Sequence, residues 1–579
     1  MSPLSIRSPV PVPNATKPYW IKGMEGPVAP APRVASGSAP RPQLPPAADV
    51  VIIGGGIAGV STAYHLRKSR PDLQVVLLES RQLSHGATGR NGGLLWPALN
   101  APWARTAERY GVAETTRMMA FELQCIREVT AFIKENGLEE EVRFSPFADG
   151  GFYAFETAAE MEAELAELEL MQQYGIHTDV QPLTRAQAAA ALGSAPGAFA
   201  GAARQPGVAR VWGARLVRAL VRKALQIPTS GCGGLIISEG AHVTEISPLS
   251  DSDVAAAAAT LQGGCGAQCA AGEEEMAAAA AAAGGRRGPV ANNIVSMRAA
   301  GGGRSPLALE VPVCEELDPT STPLLQVRTS AGESLLARRV LHTTNAWASA
   351  LLPELATALV PVRNHVAASY APPHAQAPLL DKDTAVFTRG GYVYWSKRED
   401  GRLVVGGFRD TVPGMEWGVY DDSELDERIR SELLSYLPAR FPDAMAPATV
   451  RQAAASNGHA HASGRMAAET EWSGILGFTQ DRFPYVGPVP GRRGQFLAAG
   501  FSGHGMTRTF TVGRVLADMV AGPGLGPAGA PLDPGFPAAW LPSAARFGPA
   551  VPQAVPGPEA AAGAVYLAAG AAGAGAARG

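Results

Sequence analysis

Three glycines and one acidic residue at a fixed spacing carry the clearest chemical signal in this 579-residue chain. Gly54, Gly56 and Gly59 directly follow an apolar run, and Glu79 closes the next apolar run twenty residues later. The first glycine permits a tight turn, the second lets backbone N–H groups approach a diphosphate, and the third lets a helix pack closely on a strand. Glu79 is placed to accept hydrogen bonds from ribose hydroxyls, so the spacing predicts a bound dinucleotide. The predicted contacts are completed by Gly55, Ile57, Ala58 and Ser80.

Two later glycine-rich segments could approach the far end of such a ligand. The loop 87–93 combines glycines with a hydroxyl, an arginine and an amide and could approach a flat ring, although an arginine-bearing surface loop has the same composition. The segment 500–506 precedes a helical apolar pattern, so it aims backbone N–H groups from a helix N-terminus at a second anion or polar ring edge. The predicted contacts from these segments are Thr88, Gly89, Arg90, Asn91, Gly92, Gly93, Gly503, His504, Gly505 and Met506.

The elements that must position these residues are two buried parallel strands with a helix between them. The apolar runs 50–53 and 75–78 predict the strands, because parallel strands covered on both faces are continuously apolar. Between about 360 and 470 the sequence alternates and is aromatic, which is typical of antiparallel strands, and Asp400 and Gly401 form a predicted turn. The predicted fold class is α/β, with a Rossmann-like nucleotide-binding domain built from discontinuous segments and an α+β substrate domain on an antiparallel sheet.

Several separated blocks, in the same order, resemble the FAD-dependent oxidoreductases of the D-amino acid oxidase and sarcosine oxidase type. The resemblance spans roughly residues 49–247 and 324–522 and includes the glycine motif, Glu79 and the 87–93 loop. The later blocks that carry it are 343–347, 360–363 and 477–481. The segment 14–20 is similar to the arm that precedes this domain in uncharacterised fungal-type members.

The resemblance implies noncovalent FAD and assigns a place to each motif. The glycine motif and Glu79 would hold the ADP half, residues 90–93 would line the flavin, Val243 would bracket the adenine, and residues 503–506 would approach the flavin edge. The antiparallel sheet would roof a substrate pocket. The candidate wall and carboxylate contacts are Tyr392, Tyr394, Trp395 and Arg409, and the candidate catalytic residues are His504, Arg409 and Tyr394. Each of these, like Arg363 and His365, could equally be structural.

Two positions depart from the sarcosine-oxidase pattern. Residues 475–478 contain no cysteine that could tether the flavin, so the cofactor is expected to be dissociable. Residues 403–405 contain no lysine of the kind that activates dioxygen in those enzymes. The electron acceptor therefore stays open between dioxygen and another acceptor.

Charge and composition exclude several classes of partner. The formal net charge of −3 and the pI near 6.4 give no general attraction to nucleic acid or to anionic membranes, and no apolar run of about eighteen residues predicts a membrane span. Five cysteines without a C-x-x-C pair argue against disulfides and against a zinc site, so no metal is predicted and a reducing, cytoplasmic location is expected. The acid-poor, proline-rich residues 1–48 leave organellar targeting open but favour an extended arm on the domain surface.

Composition and pattern divide the chain into nine segments. They are a proline-rich arm (1–48), a nucleotide-binding domain in four segments (49–150, 201–247, 324–358 and 471–522), a substrate domain in two (151–200 and 359–470), a low-complexity insertion predicted to be disordered (248–323) and a disordered tail (523–579).

Three functions are compatible with these residues. The first is FAD-dependent oxidation of a carbon–nitrogen bond in an amino acid or secondary amine by hydride transfer, which gives an imine that water hydrolyses. The second is a flavin-binding scaffold in which FAD is structural, and the third is a nicotinamide-dependent dehydrogenase built on the same unit. The expected partner is a small-molecule amine or amino acid, and the oligomeric state stays open.

Overall fold

The computed structural model describes residues 10–22, 24, 44–99, 101–177, 179–231, 233–249, 324–370, 382–442, 465–521 and 533–547. Within these ranges the strands are β1 (Ala47–Ile53), β2 (Gln74–Glu79), β3 (Leu94–Leu95), β4 (Ser145–Pro146), β5 (Gly150–Phe155), β6 (Gln181–Thr184), β7 (Gly201–Gln205), β8 (Ala209–Arg210), β9 (Gly234–Glu239), β10 (Val243–Pro248), β11 (Leu325–Thr329), β12 (Ser334–His342), β13 (Leu359–Tyr370), β14 (Thr384–Thr388), β15 (Val393–Lys397), β16 (Arg402–Gly407), β17 (Thr470–Thr479), β18 (Tyr485–Pro488) and β19 (Gln495–Ala499). The α-helices are α1 (Ile57–Ser69), α2 (Trp103–Tyr110), α3 (Val112–Glu135), α4 (Ala158–Gln173), α5 (Arg185–Leu192), α6 (Gly213–Gln226), α7 (Glu427–Arg440) and α8 (Gly505–Ala521). Over the same ranges, none of these helices combines the length and the apolar character needed to cross a membrane.

The first sheet has the predicted nucleotide-binding strands at its centre. β1 pairs in parallel with β2 and β12, while β9 and β19 extend the parallel part. Val50 and Ile52 pack in the main core with residues of the helices, whereas Val51 and Ile53 pack with Val243 in a separate cluster. Because successive side chains of a strand point to opposite faces, both faces of β1 are covered, which explains its continuous apolar run.

The second sheet is the predicted antiparallel layer. Its strand order is β17-β13-β16-β15-β14-β5-β7-β6, and all neighbours are antiparallel except β14 and β5. The chain turns at Asp400 and Gly401, and residues 393–397 pair with residues 403–407. The α/β fold class with an antiparallel second layer is thus confirmed. A separate three-stranded sheet contains β3, β8 and β4.

Strand pairing differs from the sequence-based domain boundaries at two places. β7 lies in the segment 201–247 but pairs with β5 and β6, and β17 lies in the segment 471–522 but pairs with β13. Both strands therefore belong to the second sheet. Their partners are distant in sequence, so composition alone could not assign them to it.

The N-terminal arm is built into the fold rather than laid on its surface, which corrects the sequence expectation. Tyr19 and Trp20 are buried, with 6% and 1% of their surface exposed. Trp20 Nε1 donates to the carbonyl oxygen of Asn91 at 2.5 Å, and Trp212 Nε1 donates to that of Trp20 at 2.6 Å. Tyr19 donates its hydroxyl to Asp400 Oδ2 at 2.7 Å, so the arm ties the first domain to the second sheet.

The predicted insertion 248–323 lies outside the described residues from position 250 onward. β10 continues through Pro248, and the backbone N–H of Leu249 donates to the carbonyl of Leu324 at 2.9 Å. The insertion therefore begins and ends at the tip of the β10–β11 hairpin.

Part of the predicted disordered tail is ordered, which corrects the expectation for residues 533–547. Arg514 on α8 pairs with Asp533 at 2.5 Å, and Arg546 pairs with Asp481 at 2.9 Å. Trp540, which lies between Asp533 and Arg546 in sequence, is fully buried. A small number of aromatic residues is therefore enough to anchor this segment, although the segment is rich in proline, glycine and alanine. The rest of the predicted tail, 523–532 and 548–579, lies outside the described residues.

Replacing Trp540 by alanine should destabilise the fold, because its ring packs against Phe121, Phe483 and Phe536. Loss of a buried tryptophan costs about 3–5 kcal/mol, so we expect a clearly lower thermal midpoint of the purified protein. Pro534→Ala, at an exposed position of the same segment, is the matched control and should leave the midpoint unchanged. Equal midpoints for the two variants would show that this segment does not support the fold.

Candidate functional site

The turn between β1 and α1 requires glycine at two positions of the motif. Gly54 has a φ of +114°, and a Cβ there would lie 2.8 Å from the carbonyl oxygen of Thr343. A Cβ on Gly59 would lie 2.1 Å from the carbonyl oxygen of Gly54. Only glycine therefore lets α1 approach the strand this closely.

The N-terminus of α1 opens on a cleft, here called the dinucleotide cleft, whose volume is about 1240 Å³ with the solvent at its open mouth included. The residue before the helix is Gly56, which offers no side chain as a cap, and Ile57 N donates to Thr88 Oγ1 at 3.1 Å. Gly54, Gly56, Ile57 and Ala58 all line the cleft. Because the first amides of a helix carry partial positive charge, this terminus suits a diphosphate.

Glu79 and Ser80, at the end of β2, and Val243, at the start of β10, also line the dinucleotide cleft. The Glu79 carboxylate accepts hydrogen bonds from Gly55 N at 2.7 Å and from Arg81 N at 2.8 Å. Two main-chain donors therefore fix the carboxylate at the cleft, which is the place that a ribose-binding acid requires. Gly55 contributes through its amide rather than by lining the cleft.

The 87–93 loop supplies residues to two neighbouring spaces. Thr88 and Asn91 line the dinucleotide cleft, while Asn91 and Gly92 line a second cavity. Asn91 also shapes the loop, since its Nδ2 donates to the carbonyl of Thr88 and its Oδ1 accepts from Gly93 N, both at 2.7 Å. The loop thus approaches both spaces mainly through its backbone and this amide.

Gly89 and Gly93 pack against protein and line neither of the two spaces formed by the described residues. A Cβ on Gly89 would lie 2.3 Å from the carbonyl oxygen of Ser84, and one on Gly93 would lie 2.9 Å from that of Val211. Their predicted place at the cofactor is corrected here to a structural one: both glycines allow close packing behind the loop.

Arg90 lines the second cavity, but its guanidinium holds the N-terminal arm. It donates to the carbonyl oxygens of Thr16 at 2.8 Å and Ser473 at 2.7 Å, and lies 3.3 Å from the buried carboxylate of Asp422. Burial lowers the pKa of Arg90 to about 10, against the opposing effect of Asp422. Asp422 also accepts from Arg81 Nη1 at 3.0 Å, so one buried carboxylate is shared by the two guanidiniums and Arg90 is engaged within the protein.

Residues 503–506 lead into α8, whose N-terminus opens on both spaces. Gly503 and Met506 line both of them, Gly505 lines the dinucleotide cleft, and His504 lines the second cavity. Burial, together with the nearby guanidinium of Arg508, lowers the pKa of His504 to about 3. Its imidazole is therefore neutral at physiological pH. The N-termini of α1 and α8 converge on one cleft, so both place partial positive charge there.

The second cavity encloses about 1210 Å³ and adjoins the dinucleotide cleft. The two spaces share the lining residues Ala87, Asn91, Leu476, Gly503 and Met506. These residues come from the two glycine-rich segments and from β17. The second sheet thus meets the nucleotide-binding domain at the junction of the two spaces.

Tyr394 and Arg409 line the second cavity and are linked through Asn364. Asn364 Nδ2 donates to the Tyr394 hydroxyl at 3.4 Å, and the Arg409 guanidinium donates to Asn364 Oδ1 at 3.2 Å. Arg409 also lies 4.6 Å from the centre of the Tyr392 ring. Burial raises the pKa of Tyr394 and lowers the pKa of Arg409. Tyr394 is therefore a neutral hydrogen-bonding group, while a guanidinium remains charged even with a lowered pKa.

Trp395 lies in the core and not in the cavity wall, which corrects the sequence prediction. It is 1% exposed and packs edge-to-face against Phe441. Side chains alternate between the two faces of a strand, so a cavity-facing Tyr394 turns Trp395 to the opposite side.

Arg363 and His365 are structural. Arg363 forms an ion pair with Glu416, and His365 Nε2 accepts a hydrogen bond from Asp426 N at 2.9 Å. Burial and the charge of Arg363 lower the pKa of His365 to about 4.

Sequence reasoning missed an aromatic wall and a second free arginine in the cavity. Trp96 packs edge-to-face against Tyr153 and Phe387, with ring centres 5.0 and 4.6 Å apart, and all three line the cavity. Arg482 enters from the turn between β17 and β18, where its φ is +66°. The wall also depends on Gly151, since a Cβ there would lie 2.5 Å from the Trp96 ring, and no local sequence pattern marks this contact.

The residues present fit FAD. The glycine turn, two helix N-termini and the fixed Glu79 carboxylate all border one cleft, which suits the ADP half. The residues shared with the second cavity would hold the flavin ring, where Gly503 and Asn91 leave close access to the main chain. No group of three or more His, Cys, Asp or Glu side chains within the described ranges is arranged to hold a metal ion.

Comparison with known proteins agrees with this geometry. A family profile described as FAD dependent oxidoreductase (DAO) matches residues 49–287 and 236–519. Glycine oxidase from Geobacillus kaustophilus has a similar fold over 86% of this chain and 98% of its own, with a TM-score of 0.56 and 20% identity. L-α-glycerophosphate oxidase from Mycoplasma pneumoniae, whose structure contains FAD, is similar over 82% of this chain and 94% of its own, with a TM-score of 0.51 and 15% identity.

Sequence identity to curated proteins is confined to a short stretch. γ-Glutamylputrescine oxidoreductase from Escherichia coli strain K12 is 39% identical over 71 residues, which is 12% of this chain and 16% of that protein. The matched region therefore spans under a fifth of this relative.

Gly56→Leu should fold but bind the dinucleotide poorly, because Gly56 lines the cleft and a Cβ there meets only Thr88 Oγ1, at 3.2 Å. We expect the Kd for FAD to rise at least about tenfold, equivalent to about 1.4 kcal/mol of binding free energy, and the flavin-to-protein absorbance ratio after purification to fall. Ala131→Leu, which adds the same side chain on the exposed face of α3, should keep the wild-type ratio. A folded Gly56→Leu protein with full flavin content would contradict this site.

Proposed function

Because the chain belongs to the DAO family of FAD-dependent oxidoreductases, we propose that it oxidises a carbon–nitrogen bond of an amino acid or secondary amine by hydride transfer to noncovalently bound FAD. The family match sets aside the nicotinamide-dependent alternative. When bound, FAD supplies the two-electron acceptor for a hydride from the carbon that carries nitrogen. The observation that carries the proposal is the junction of the dinucleotide cleft with the second cavity through five shared residues.

The protein would hold FAD through main-chain groups at both ends of the cleft. The N-terminus of α1 would bind the diphosphate, and Glu79 would bind a ribose. The N-terminus of α8 would stabilise the negative charge that the reaction adds beside Gly503 and Met506. These donors are fixed by the fold, so they need no rearrangement during the reaction.

The position of Cys125, the one cysteine in the described ranges, supports noncovalent binding of FAD. Cys125 is buried on α3, and burial raises the pKa of its thiol. It lines neither the dinucleotide cleft nor the second cavity. The cofactor would therefore be removable without breaking a thioether to this residue.

The second cavity would orient the substrate by its carboxylate. Arg409 has no carboxylate partner among the described residues and is held in place by Asn364 and the Tyr392 ring, so it is available to bind an anion. Trp96, Tyr153 and Phe387 would pack on the apolar part of the substrate and exclude water.

Proton movement would rely on the substrate rather than on a protein base. His504 has a pKa of about 3 and Tyr394 has a raised pKa, so neither is a suitable base at neutral pH. The substrate would therefore react as the free amine. Its C–H bond is lost as hydride, its N–H proton leaves to solvent, and water then hydrolyses the imine to a carbonyl compound and an amine or ammonia.

Anaerobic addition of a panel of amino acids and secondary amines to the purified yellow protein tests the proposal. A productive substrate should bleach the visible flavin absorbance, and admitting an electron acceptor should restore it. Arg409→Gln should raise the substrate concentration needed for bleaching, while Arg363→Gln, which removes an arginine outside the cavity, should not. Bound flavin that no member of the panel bleaches would favour the scaffold function instead.

The pH dependence of kcat/KM should not depend on His504. Its pKa is lowered from 6.5 to about 3, so the imidazole stays neutral at every pH above about 4. We expect activity to fall with decreasing pH because the substrate amine gains a proton, and His504→Gln should keep the same apparent pKa. A shift of that apparent pKa in His504→Gln would contradict a permanently neutral imidazole.

A further inference from the structure

The second cavity carries an excess of positive charge. Its lining contains the three arginines Arg90, Arg409 and Arg482 but no aspartate or glutamate. Arg90 is paired with the buried carboxylate of Asp422. Neither of the other two guanidiniums forms an ion pair with a carboxylate of the described residues. Asp410, next to Arg409 in sequence, is paired with Arg389 at 2.5 Å. The cavity wall therefore holds two guanidiniums that form no ion pair with a described carboxylate.

The two unpaired arginines come from different elements. Arg409 follows β16 and is fixed by Asn364. Arg482 lies in the turn after β17, where its backbone N–H donates to the carbonyl of Thr479 at 3.2 Å. The neighbouring Asp481 does not neutralise it, because both carboxylate oxygens of Asp481 accept hydrogen bonds from Arg546, at 2.9 and 3.0 Å. Asp481 and Asp410, the carboxylates next to Arg482 and Arg409 in sequence, are thus both paired with other arginines.

The two charges lie close enough to affect the same groups. Burial is the main cause of the lowered pKa of Arg409, and repulsion from Arg482 adds to it. Both arginines also contribute to the lowered pKa of His504 in the same wall. A ligand with a single carboxylate would leave one of these half-buried cations uncompensated, which is unfavourable away from bulk water.

We propose that the substrate is an amino acid with a second anionic group, one carboxylate being held by Arg409 and the other by Arg482. This inference rests on the proposed amine oxidation and adds the substrate class. The positive wall also disfavours an ammonium group, so it promotes the free amine that the reaction requires. Two carboxylates and a neutral amine would compensate both Arg409 and Arg482, whereas one carboxylate would compensate only one of them.

Binding of unreactive carboxylates to the FAD-loaded protein tests this without turnover. Titrations are followed by the change in flavin absorbance, with succinate and glutarate compared against the matched monocarboxylates propanoate and butanoate. The wild type should bind the dicarboxylates with a Kd at least about tenfold lower, equivalent to about 1.4 kcal/mol.

Variants of Arg482 separate a charge effect from a folding effect. Arg482→Gln should lose the preference for dicarboxylates while still binding monocarboxylates, and Arg482→Lys should retain most of the preference. Arg428→Gln, which removes one positive charge from an exposed position on α7, is the matched control and should keep the wild-type preference. Flavin content and thermal midpoint report whether each variant is folded.

The same preference should appear in turnover, where glutamate should exceed glutamine and iminodiacetate should exceed N-methylglycine by at least about tenfold in kcat/KM. Equal Kd values for both carboxylate classes, or a preference that persists in Arg482→Gln, would overturn the inference. Bleaching by monocarboxylate amines alone would also overturn it but would leave amine oxidation standing. A protein that prefers dicarboxylates and is bleached by no amine would instead overturn the oxidation on which the inference rests.

Discussion

The contact between the first helix and the main chain of the preceding turn is the constraint on which the site depends. The space between Gly59 and the carbonyl oxygen of Gly54 leaves no room for a side chain. Thr343, which follows β12, closes the turn from the other side by donating its hydroxyl to the carbonyl of Ile53 at 2.8 Å. β1 and β12, which are distant in sequence, thereby fix the helix end against which a diphosphate can rest.

The second sheet converts this nucleotide-binding unit into a candidate reaction chamber. β17 runs along β13 and also brings Leu476 to the junction of the two spaces. Of the five residues that the two spaces share, only Asn91 has a polar side chain, whereas Arg90, Arg409 and Arg482 line the second cavity alone. The proposed cofactor contacts therefore combine fixed main-chain groups with the Glu79 carboxylate, and the proposed substrate contacts are side chains.

The sequence predicts those parts of the site that follow from local backbone geometry. The glycine turn, Glu79 and the 503–506 segment are recognisable because a short stretch of chain determines their conformation, and the family and the use of FAD are confirmed by the family match. Both Tyr394 and Trp395 were predicted to line the substrate pocket, although only Tyr394 does so. The alternation of a strand shows that neighbouring side chains face opposite sides, but it does not show which side faces the cavity. The face became clear only from the pairing of β15 with its neighbours.

Residues that act through distant contacts could not be found in this way. The sequence predicts that Arg90 lines a flat ring, because it lies in a glycine-rich loop. Its guanidinium instead contacts Asp422 and Thr16, which are both far away in sequence. The aromatic wall is assembled from three separate segments, and Arg482 lies in an ordinary turn. Composition also misjudged residues 533–547, since one buried tryptophan and two ion pairs outweigh a proline- and alanine-rich background.

The contacts of the N-terminal arm constrain the order in which parts of the chain can assemble. Thr16 Oγ1 donates to the carbonyl of Asp422 at 2.9 Å and accepts from Ser473 N at 3.0 Å, and Pro11 borders the dinucleotide cleft. These partners emerge from the ribosome more than four hundred residues after the arm does. The arm can therefore join the fold in two stages, with Trp20 held by Asn91 and Trp212, and Thr16 held only once residues 422 and 473 have been synthesised. The second stage would bring Pro11 to the border of the dinucleotide cleft.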